Sequence, residues 1–334
     1  MGDVDHSRGS GTGRTARSLP VLLLVAAGAL AGCGDDEGGG SGDYPSDDIR
    51  MLVPYAAGGP TDLTTRTVGA CLESELDATV VVENLAGGSG ALATTELISA
   101  APDGHTLALV TAGTMVLTPL ANEVGYTYED ITPIGVMAEV PSVLAVGEDS
   151  PYASAEDFVA AVEADPGTVD VGVPGASTPQ AIELQRWADE HDVEVSIVPF
   201  DGNAEMTTAL LGGNVDAVLI NASSDVAENI DAGAFVPLIA SSEERLEWLP
   251  DTPTFTELGF DGLTLSGSTF GLAGPADLPD DVVSTLEDTL RTCLESDEVR
   301  EGIGEQYVLT EFAGADDLAE ILENTQEVYE PILG

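Results

Sequence analysis

Two stretches near the start of the chain share one design, in which a short apolar run meets a Gly-Gly loop and then an apolar-periodic segment. The first covers residues 51–62, with glycines at 58 and 59, and the second covers residues 79–90, with glycines at 87 and 88. Each predicts a buried strand that turns sharply into a helix, because glycine adopts backbone angles that other residues avoid. Helix N-termini offer unpaired N–H groups and a positive dipole end, so two of them at one sheet edge predict a site for a small anion. Either loop alone is equally consistent with an ordinary tight turn.

Neither loop carries a nucleotide-binding motif, since G-x-x-x-x-G-K-[ST] and G-x-G-x-x-G are both absent. Beyond the N-terminal segment the only histidines are His105 and His191, and there is no G-x-S-x-G elbow for a nucleophilic serine. We therefore expect no cofactor, no metal site and no enzymatic activity. Asp62 could serve as a catalytic acid, but its place after Gly-Gly-Pro-Thr favours a helix N-cap.

The first 32 residues predict a lipoprotein signal peptide. Three arginines precede an apolar run that ends at Cys33 and is short for a membrane span. Residues 30–33, Leu-Ala-Gly-Cys, resemble a lipobox, in which the chain is cut before Cys33 and that cysteine is lipidated. Residues 33–46 then predict a flexible tether. The alternative is a plain secretory signal with an incidental cysteine.

Acidic residues far outnumber basic ones. The chain has 60 Asp and Glu against 9 Lys and Arg, and its formal net charge is −51. Nucleic acid and anionic membrane surfaces are poor partners for it, because both require a basic face. At molar salt the Debye length falls to about 3 Å, which screens the self-repulsion of such a body. We expect an acidic, halophile-like surface, with a merely acidic mesophile protein as the alternative.

Cys71 and Cys293 are the two cysteines left once Cys33 is assigned to lipid. Outside the cytoplasm an even pair favours a disulfide, here between the first predicted helix and a late one. Two separate buried thiols are the alternative.

From residue 49 onward predicted strands and helices alternate, which indicates an α/β architecture with mostly parallel sheets. The predicted strands are 49–54, 79–83, 106–111, 134–137, 143–146, 169–173, 195–199, 217–220 and 235–240. Predicted helices between and after them include 154–164, 181–191, 204–211 and 280–294.

The length beyond the tether fits two domains better than one sheet. We expect one lobe from residues 47–138 plus 263–334 and a second from residues 139–262. Segments that cross between the lobes would form a hinge, so the cleft could close on a ligand.

A series of short motifs resembles the substrate-binding proteins of tripartite tricarboxylate transporters, the Bug or TctC family. The resembling segments are collinear from residue 50 to residue 332, and they are 54–62, 80–84, 86–90, 101–107, 198–202, 211–216 and 245–259. Each is weak alone, and the ordered set is specific. The resemblance implies a type II periplasmic-binding-protein fold: two α/β lobes, a hinge and an interlobe ligand cleft.

In that family the ligand carboxylate is held mostly by backbone amides and ordered waters in the loops after the first strands. Carried over to this sequence, the resemblance implies ligand contacts from both loops and from the facing lobe, namely Ala57, Gly58, Gly59, Asp62, Ala86, Gly87, Gly88, Ser89, Ser177, Thr178 and Asp216. Four further candidates for ligand contact are Tyr55, Thr111, Phe200 and Phe270.

Three positions depart from the family pattern. Pro179 stands where a His is usual, Phe200-Asp201 where Tyr-Lys is usual, and Thr269 where a Trp precedes Phe-Gly. These replacements remove two hydrogen-bonding side chains, a cation and a large ring. We therefore expect a ligand that is larger, less charged or differently oriented than those of typical members.

The implied function is that of an extracytoplasmic solute-binding lipoprotein, a monomer that is held by its lipid at the outer face of the cell membrane. It would bind a small organic acid and deliver it to integral-membrane permease subunits. A ligand-sensing surface lipoprotein of the same fold is the alternative, and a surface-anchored α/β enzyme is a more distant one.

Overall fold

The computed structural model describes residues 44–242, 244–259 and 266–333. The predicted signal peptide, Cys33 and most of the predicted tether lie outside these residues. The described strands are β1 (Ile49–Val53), β2 (Val80–Asn84), β3 (Thr106–Val110), β4 (Ile131–Val140), β5 (Ser142–Gly147), β6 (Asp170–Val173), β7 (Ser196–Pro199), β8 (Ala217–Asn221), β9 (Phe235–Ala240) and β10 (Ser268–Pro275).

The described α-helices are α1 (Pro60–Leu76), α2 (Ala91–Ile98), α3 (Thr118–Ala121), α4 (Ala155–Ala164), α5 (Pro179–Glu190), α6 (Asn203–Leu211), α7 (Ser224–Asp231), α8 (Asp280–Glu295), α9 (Asp297–Ile303) and α10 (Ala315–Leu333). The nine predicted strands coincide with β1 to β9 to within three residues at each end. The tenth strand, β10, is not among the predicted strands.

The strands form two five-stranded sheets with the same plan. The first has the order β2-β1-β3-β10-β4 and the second the order β7-β6-β8-β5-β9. We call the first sheet with α1–α3 and α8–α10 the first lobe, and the second sheet with α4–α7 the second lobe. This architecture confirms the predicted two-lobed α/β fold.

The expectation of mostly parallel sheets needs a correction, because one strand of each sheet is antiparallel to both of its neighbours. In the first sheet this strand is β10, and in the second it is β5. The reason is connectivity. β4 reaches the hinge at its carboxyl end and continues through Pro141 into β5, which must therefore run away from the hinge. β10 enters the first sheet from the same side after β9.

Each sheet is buried between helices. In the first lobe α1 and α8 contribute Val68, Leu72, Leu286 and Leu290 to the core on one face of the sheet. On the other face, α2 and α10 pack against the sheet through Leu97 and Leu322.

A disulfide joins the two cysteines that the sequence pairs. Cys71 of α1 and Cys293 of α8 have Cα atoms 5.8 Å apart and close a loop of 222 residues. Loop-closure entropy of this length corresponds to about 5 kcal/mol of stabilisation. Because both helices belong to the first lobe, the bond holds that lobe together and leaves the cleft free to open.

The two lobes also touch through a buried polar contact behind the cleft. Glu183 of α5 is fully buried and accepts a hydrogen bond from the hydroxyl of Tyr329 in α10, with 2.5 Å between the oxygens. Arg186 pairs with the other Glu183 oxygen at 2.5 Å. Burial, together with the neighbouring carboxylate, raises the pKa of Tyr329 above its usual value, so this hydroxyl remains a donor. The contact links the C-terminal helix to the second lobe.

Replacing Tyr329 with Phe removes the donor to a buried carboxylate, and a hydrogen bond to a charged group contributes about 1.5–3 kcal/mol. We expect Tyr329→Phe to lower the free energy of unfolding by that amount, measured by urea denaturation. The matched control is Tyr128→Phe, since the Tyr128 hydroxyl makes no hydrogen bond to the described residues. Equal effects of the two substitutions would contradict a specific role for the Tyr329–Glu183 bond.

Candidate functional site

The cleft lies where the carboxyl ends of β1 and β3 face those of β6, β7 and β8. Loops leaving these ends lead into α1, α5 and α6, whose N-termini meet around one cavity of about 400 Å³. The cavity is lined by both lobes: Tyr55, Ala56, Gly59, Pro60, Thr61, Thr111, Pro174, Thr178, Pro179, Gln180, Gly202, Asn203, Asn221, Ser268 and Phe270.

The first Gly-Gly loop reaches this cavity through Gly59 and the start of α1. Gly59 is the helix N-cap and Pro60 occupies the first helical position, where its missing N–H costs no hydrogen bond. Gly58 has a φ of +86°, in the region that favours glycine. Ala57 and Gly58 are exposed and do not line the cavity.

Asp62 shapes this loop from inside the helix, which corrects its assignment as the N-cap. It occupies the third helical position, and its Oδ2 accepts a hydrogen bond from the Gly58 N–H at 2.9 Å. Its Oδ1 lies 2.9 Å from Arg66 Nε. Burial opposes ionisation, but the hydrogen bonds from Arg66, Gly58 and Asn84 outweigh it and hold the pKa of Asp62 below its usual value.

Tyr55 is fixed at the same point by its backbone and its hydroxyl. Its carbonyl accepts a hydrogen bond from Asn84 Nδ2 at 3.1 Å, and its hydroxyl bonds to Thr111. Burial raises the pKa of Tyr55 to about 12, so the hydroxyl stays protonated. The structure therefore brings Tyr55, Gly59 and Thr111 together at the cavity, and their contact with a ligand stays a prediction.

The second Gly-Gly loop has a different position from the expected one. Residues 87–90 all have positive φ, and a Cβ on Gly90 would lie 2.3 Å from Thr114 Cγ2. This backbone turns the loop toward the facing lobe, where Ser89 Oγ accepts a hydrogen bond from the Ser177 N–H at 3.3 Å. Gly87 and Ser89 line an adjoining space of about 530 Å³, and neither Ala86 nor Gly88 lines either space.

The second lobe contributes two helix starts. Thr178 caps α5, where its Oγ1 accepts from the Ala181 N–H at 3.5 Å, and Pro179 follows at the first helical position. Asn203 opens α6 after Gly202, and its Nδ2 donates to the Asn221 carbonyl at 3.0 Å. Apart from Pro179, which has no N–H, the first residues of these helices have N–H groups without a partner within the helix.

Ser177 and Phe200 lie at the edge of the cleft, away from the 400 Å³ cavity. Ser177 Oγ accepts from Asn122 Nδ2 at 2.8 Å, which closes the two lobes against each other. Another interlobe bond runs from the Ala56 N–H to the Asp201 carbonyl at 3.0 Å. Phe200 and Asp201 line the adjoining space with Tyr55, while Phe270 is buried and lines the main cavity.

Two positions that the sequence singles out, Asp216 and Thr269, lie away from the cavity. Asp216 precedes β8, so it lies at the amino end of a strand and far from the carboxyl ends that form the cleft. Its Oδ2 accepts from the Asp170 N–H at 2.9 Å, and it contributes to an exposed depression instead. Thr269 faces a groove beside the crossing segments with Glu139, so its difference from the family pattern does not alter the cavity wall.

The sequence reasoning missed the polar side chains Gln180, Asn203, Asn221 and Ser268. Asn221 ends a strand and Asn203 follows a predicted loop, so their place at carboxyl ends of strands was a usable signal. Gln180 gave no such signal, because it follows Pro179 in a segment that is typical of an ordinary helix start. Ser268 belongs to the strand that was not predicted.

The cavity carries no charged side chain among its lining residues. Three helix N-termini face it with the positive ends of their dipoles, and hydroxyl and amide groups offer further hydrogen bonds. This arrangement suits a small anion held at contact distance.

Two negative observations concern the described residues only. In those ranges no three His, Cys, Asp or Glu side chains are placed to hold a metal ion. No helix within them combines the length and apolar character needed to cross a bilayer. His105 accepts hydrogen bonds from the Ser46 and Asp47 N–H groups, so its role is structural.

Comparison with known proteins gives a consistent result. Residues 64–333 match the family described as "Tripartite tricarboxylate transporter family receptor". The chain is 30% identical over 294 residues to the UPF0065 protein in the gbd 5'region of Cupriavidus necator, covering 86% of this chain and 88% of that protein.

Solved structures agree with this match. The periplasmic binding protein BugD has a TM-score of 0.80 at 27% identity, covering 86% of this chain and 97% of that one. MatC from Rhodopseudomonas palustris, solved with bound malate, has a TM-score of 0.79 at 25% identity, covering 87% and 100%.

Asp62 provides a test of how the first loop is held. We expect Asp62→Ala to lower the free energy of unfolding at pH 7 by about 1.5–3 kcal/mol, because two charge-assisted bonds are lost. The folded-state pKa is lowered, so this contribution is present above the unfolded pKa of about 4 and disappears as pH falls through the folded value.

Urea denaturation at pH 7, 5 and 3 measures the difference from wild type, which should shrink at the lowest pH. The control is Asp157→Ala, which removes an exposed carboxylate from the same helical position of α4. A difference that is constant with pH would contradict the role given to the Asp62 carboxylate.

Proposed function

The chain belongs to the tripartite tricarboxylate transporter receptor family, and on that premise we propose that it captures a small organic acid between its lobes and delivers it to a membrane permease. Members of this family are solute-binding receptors of the extracytoplasmic space, and the chain is not an enzyme. The proposed steps are capture of a carboxylate by the cleft and its transfer to the integral-membrane subunits.

One observation carries the proposal: the N-termini of α1, α5 and α6 converge on a small cavity without charged side chains. Each partly buried helix end favours an anion by up to about 2 kcal/mol. Hydrogen bonds to a charged group contribute about 1.5–3 kcal/mol each. A few such bonds, after the cost of closing the lobes, are sufficient for the roughly −8 kcal/mol of micromolar binding.

A solved relative supports a small organic acid as the ligand. The similar protein MatC holds malate, a four-carbon dicarboxylate. The similar R. palustris protein Rpa4515 holds adipate, so the two relatives together support a small dicarboxylate.

Closure would be a hinge motion of two bodies, residues 47–138 plus 263–334 against residues 139–262. The crossing at Pro141 joins β4 directly to β5, which supports a hinge at this point. Lipid on Cys33 and the tether to residue 46 would hold this monomer at the outer face of the cell membrane, close to its permease.

We also propose that the body is adapted to high salt. Five of the six arginines in the described part form ion pairs with carboxylates: Arg50, Arg66, Arg186, Arg245 and Arg291. Arg300 donates to two backbone carbonyls. The cations are thus already engaged, and most carboxylates depend on solvent ions for screening.

A panel of organic acids and uncharged analogues tests the ligand class. We expect a carboxylate to raise the thermal unfolding midpoint, since a ligand at 100 times its Kd stabilises the folded state by about 2.7 kcal/mol. If only uncharged compounds raise the thermal midpoint, the assignment of the cavity as an anion site is wrong.

Salt dependence tests the second proposal. We expect the thermal midpoint to be higher in molar KCl than in dilute buffer, because salt screens repulsion among carboxylates. An osmotically matched sucrose solution is the control for general solute effects. Equal midpoints in low and molar KCl would contradict adaptation to salt.

A further inference from the structure

The Gln180 side chain lies in the wall of the cleft cavity and is fully buried. Its Nε2 lies 2.8 Å from Asn221 Oδ1 and 2.9 Å from Ser142 Oγ. Ser268 Oγ lies at a longer 3.4 Å. Asn221 and Ser268 also line the cavity, so the Gln180 nitrogen bonds to two other lining side chains.

The orientation of this carboxamide is fixed by Ser142. A serine hydroxyl has one proton, and that of Ser142 is donated to the Ser266 carbonyl at 2.7 Å. Toward Gln180 the Ser142 oxygen must therefore accept, which places the amide nitrogen and not the oxygen against it. Both protons of Nε2 are then used by Ser142 and Asn221.

The carbonyl oxygen of Gln180 is left without a hydrogen-bond partner among the described residues. A buried acceptor in this state is costly, and native structures nearly always satisfy such groups. A donor on a molecule in the cavity would satisfy it. An ionised carboxylate at the same point would be repelled, since it has no proton to donate.

We propose that Gln180 selects for a hydroxyl group on the ligand, so that the protein prefers hydroxycarboxylates to the corresponding unsubstituted acids. This inference rests on the proposed function, and it adds the residue that distinguishes ligands with a hydroxyl group from ligands without one. Backbone amides at the helix N-termini bind the carboxylate, and Gln180 Oε1 accepts the hydroxyl proton.

The neutral lining favours a hydroxyl over an ammonium as this donor. None of the residues that line the cavity carries a negative charge, so a buried ammonium would have no counter-ion there. Asp201, an acidic residue at the cleft, is exposed and lines the adjoining space. A hydroxyl donates one proton without bringing a charge.

Matched ligand sets test this on the purified full-length protein by isothermal calorimetry. Each set has one carbon skeleton with a hydroxyl, an amine or neither: malate, aspartate and succinate; lactate, alanine and propionate; 2-hydroxyglutarate, glutamate and glutarate. We expect the hydroxy acid of the best-binding set to bind at least tenfold more tightly than its unsubstituted partner.

Gln180→Met keeps the length of the side chain and removes the acceptor. We expect it to abolish the preference for the hydroxy acid while the unsubstituted acid still binds. The matched control is Gln185→Met, the same change on the same helix at an exposed position, which should keep the wild-type ratio. If Gln180→Met fails to fold, the ratio measured on the wild-type protein decides.

The outcomes separate the two proposals. Equal binding of hydroxy and unsubstituted acids leaves carboxylate capture intact and overturns the role of Gln180. Tighter binding of the amino acid than of the hydroxy acid overturns the hydroxyl assignment. If no carboxylate binds, the proposed function fails and this inference fails with it.

Discussion

All the strands that run parallel in the two sheets end at the cleft, and the rest of the structure depends on this constraint. Because a helix follows the carboxyl end of such a strand, its N-terminus is delivered to the same edge. The chain must also pass between the lobes at this edge, which obliges β5 and β10 to run the opposite way. The hinge, the cavity and the positive dipole ends that face the cavity thus all follow from the common direction of these strands.

The fold could be predicted from the sequence because its signals are local. Apolar runs bounded by glycine and acidic residues identify nine strands, and each coincides with an observed one. The tenth, β10, escapes because its sequence, Ser-Thr-Phe-Gly-Leu-Ala-Gly-Pro, is punctuated by glycine and proline. Its place beside β3 comes from a pairing distant in sequence, which a local pattern does not contain.

The site could be predicted only in part, since a contact depends on where a side chain or loop points as well as on its position in the sequence. Tyr55, Gly59 and Thr111 follow strand ends and lie at the cavity. Asp216 precedes its strand and so points to the other end of the lobe. The second Gly-Gly loop has the expected turn, but its run of positive φ angles aims it at the facing lobe. The role of Gln180 could not be predicted from the sequence, because it depends on which hydrogen bonds its neighbours make in the folded structure.

The disulfide between α1 and α8 gives the two lobes different covalent constraints. It anchors the helix whose N-terminus carries the first Gly-Gly loop, and it makes no link to α5 or α6. The first lobe therefore carries a covalent constraint that restricts its unfolded state, and this bond places no covalent link across the interface between the lobes.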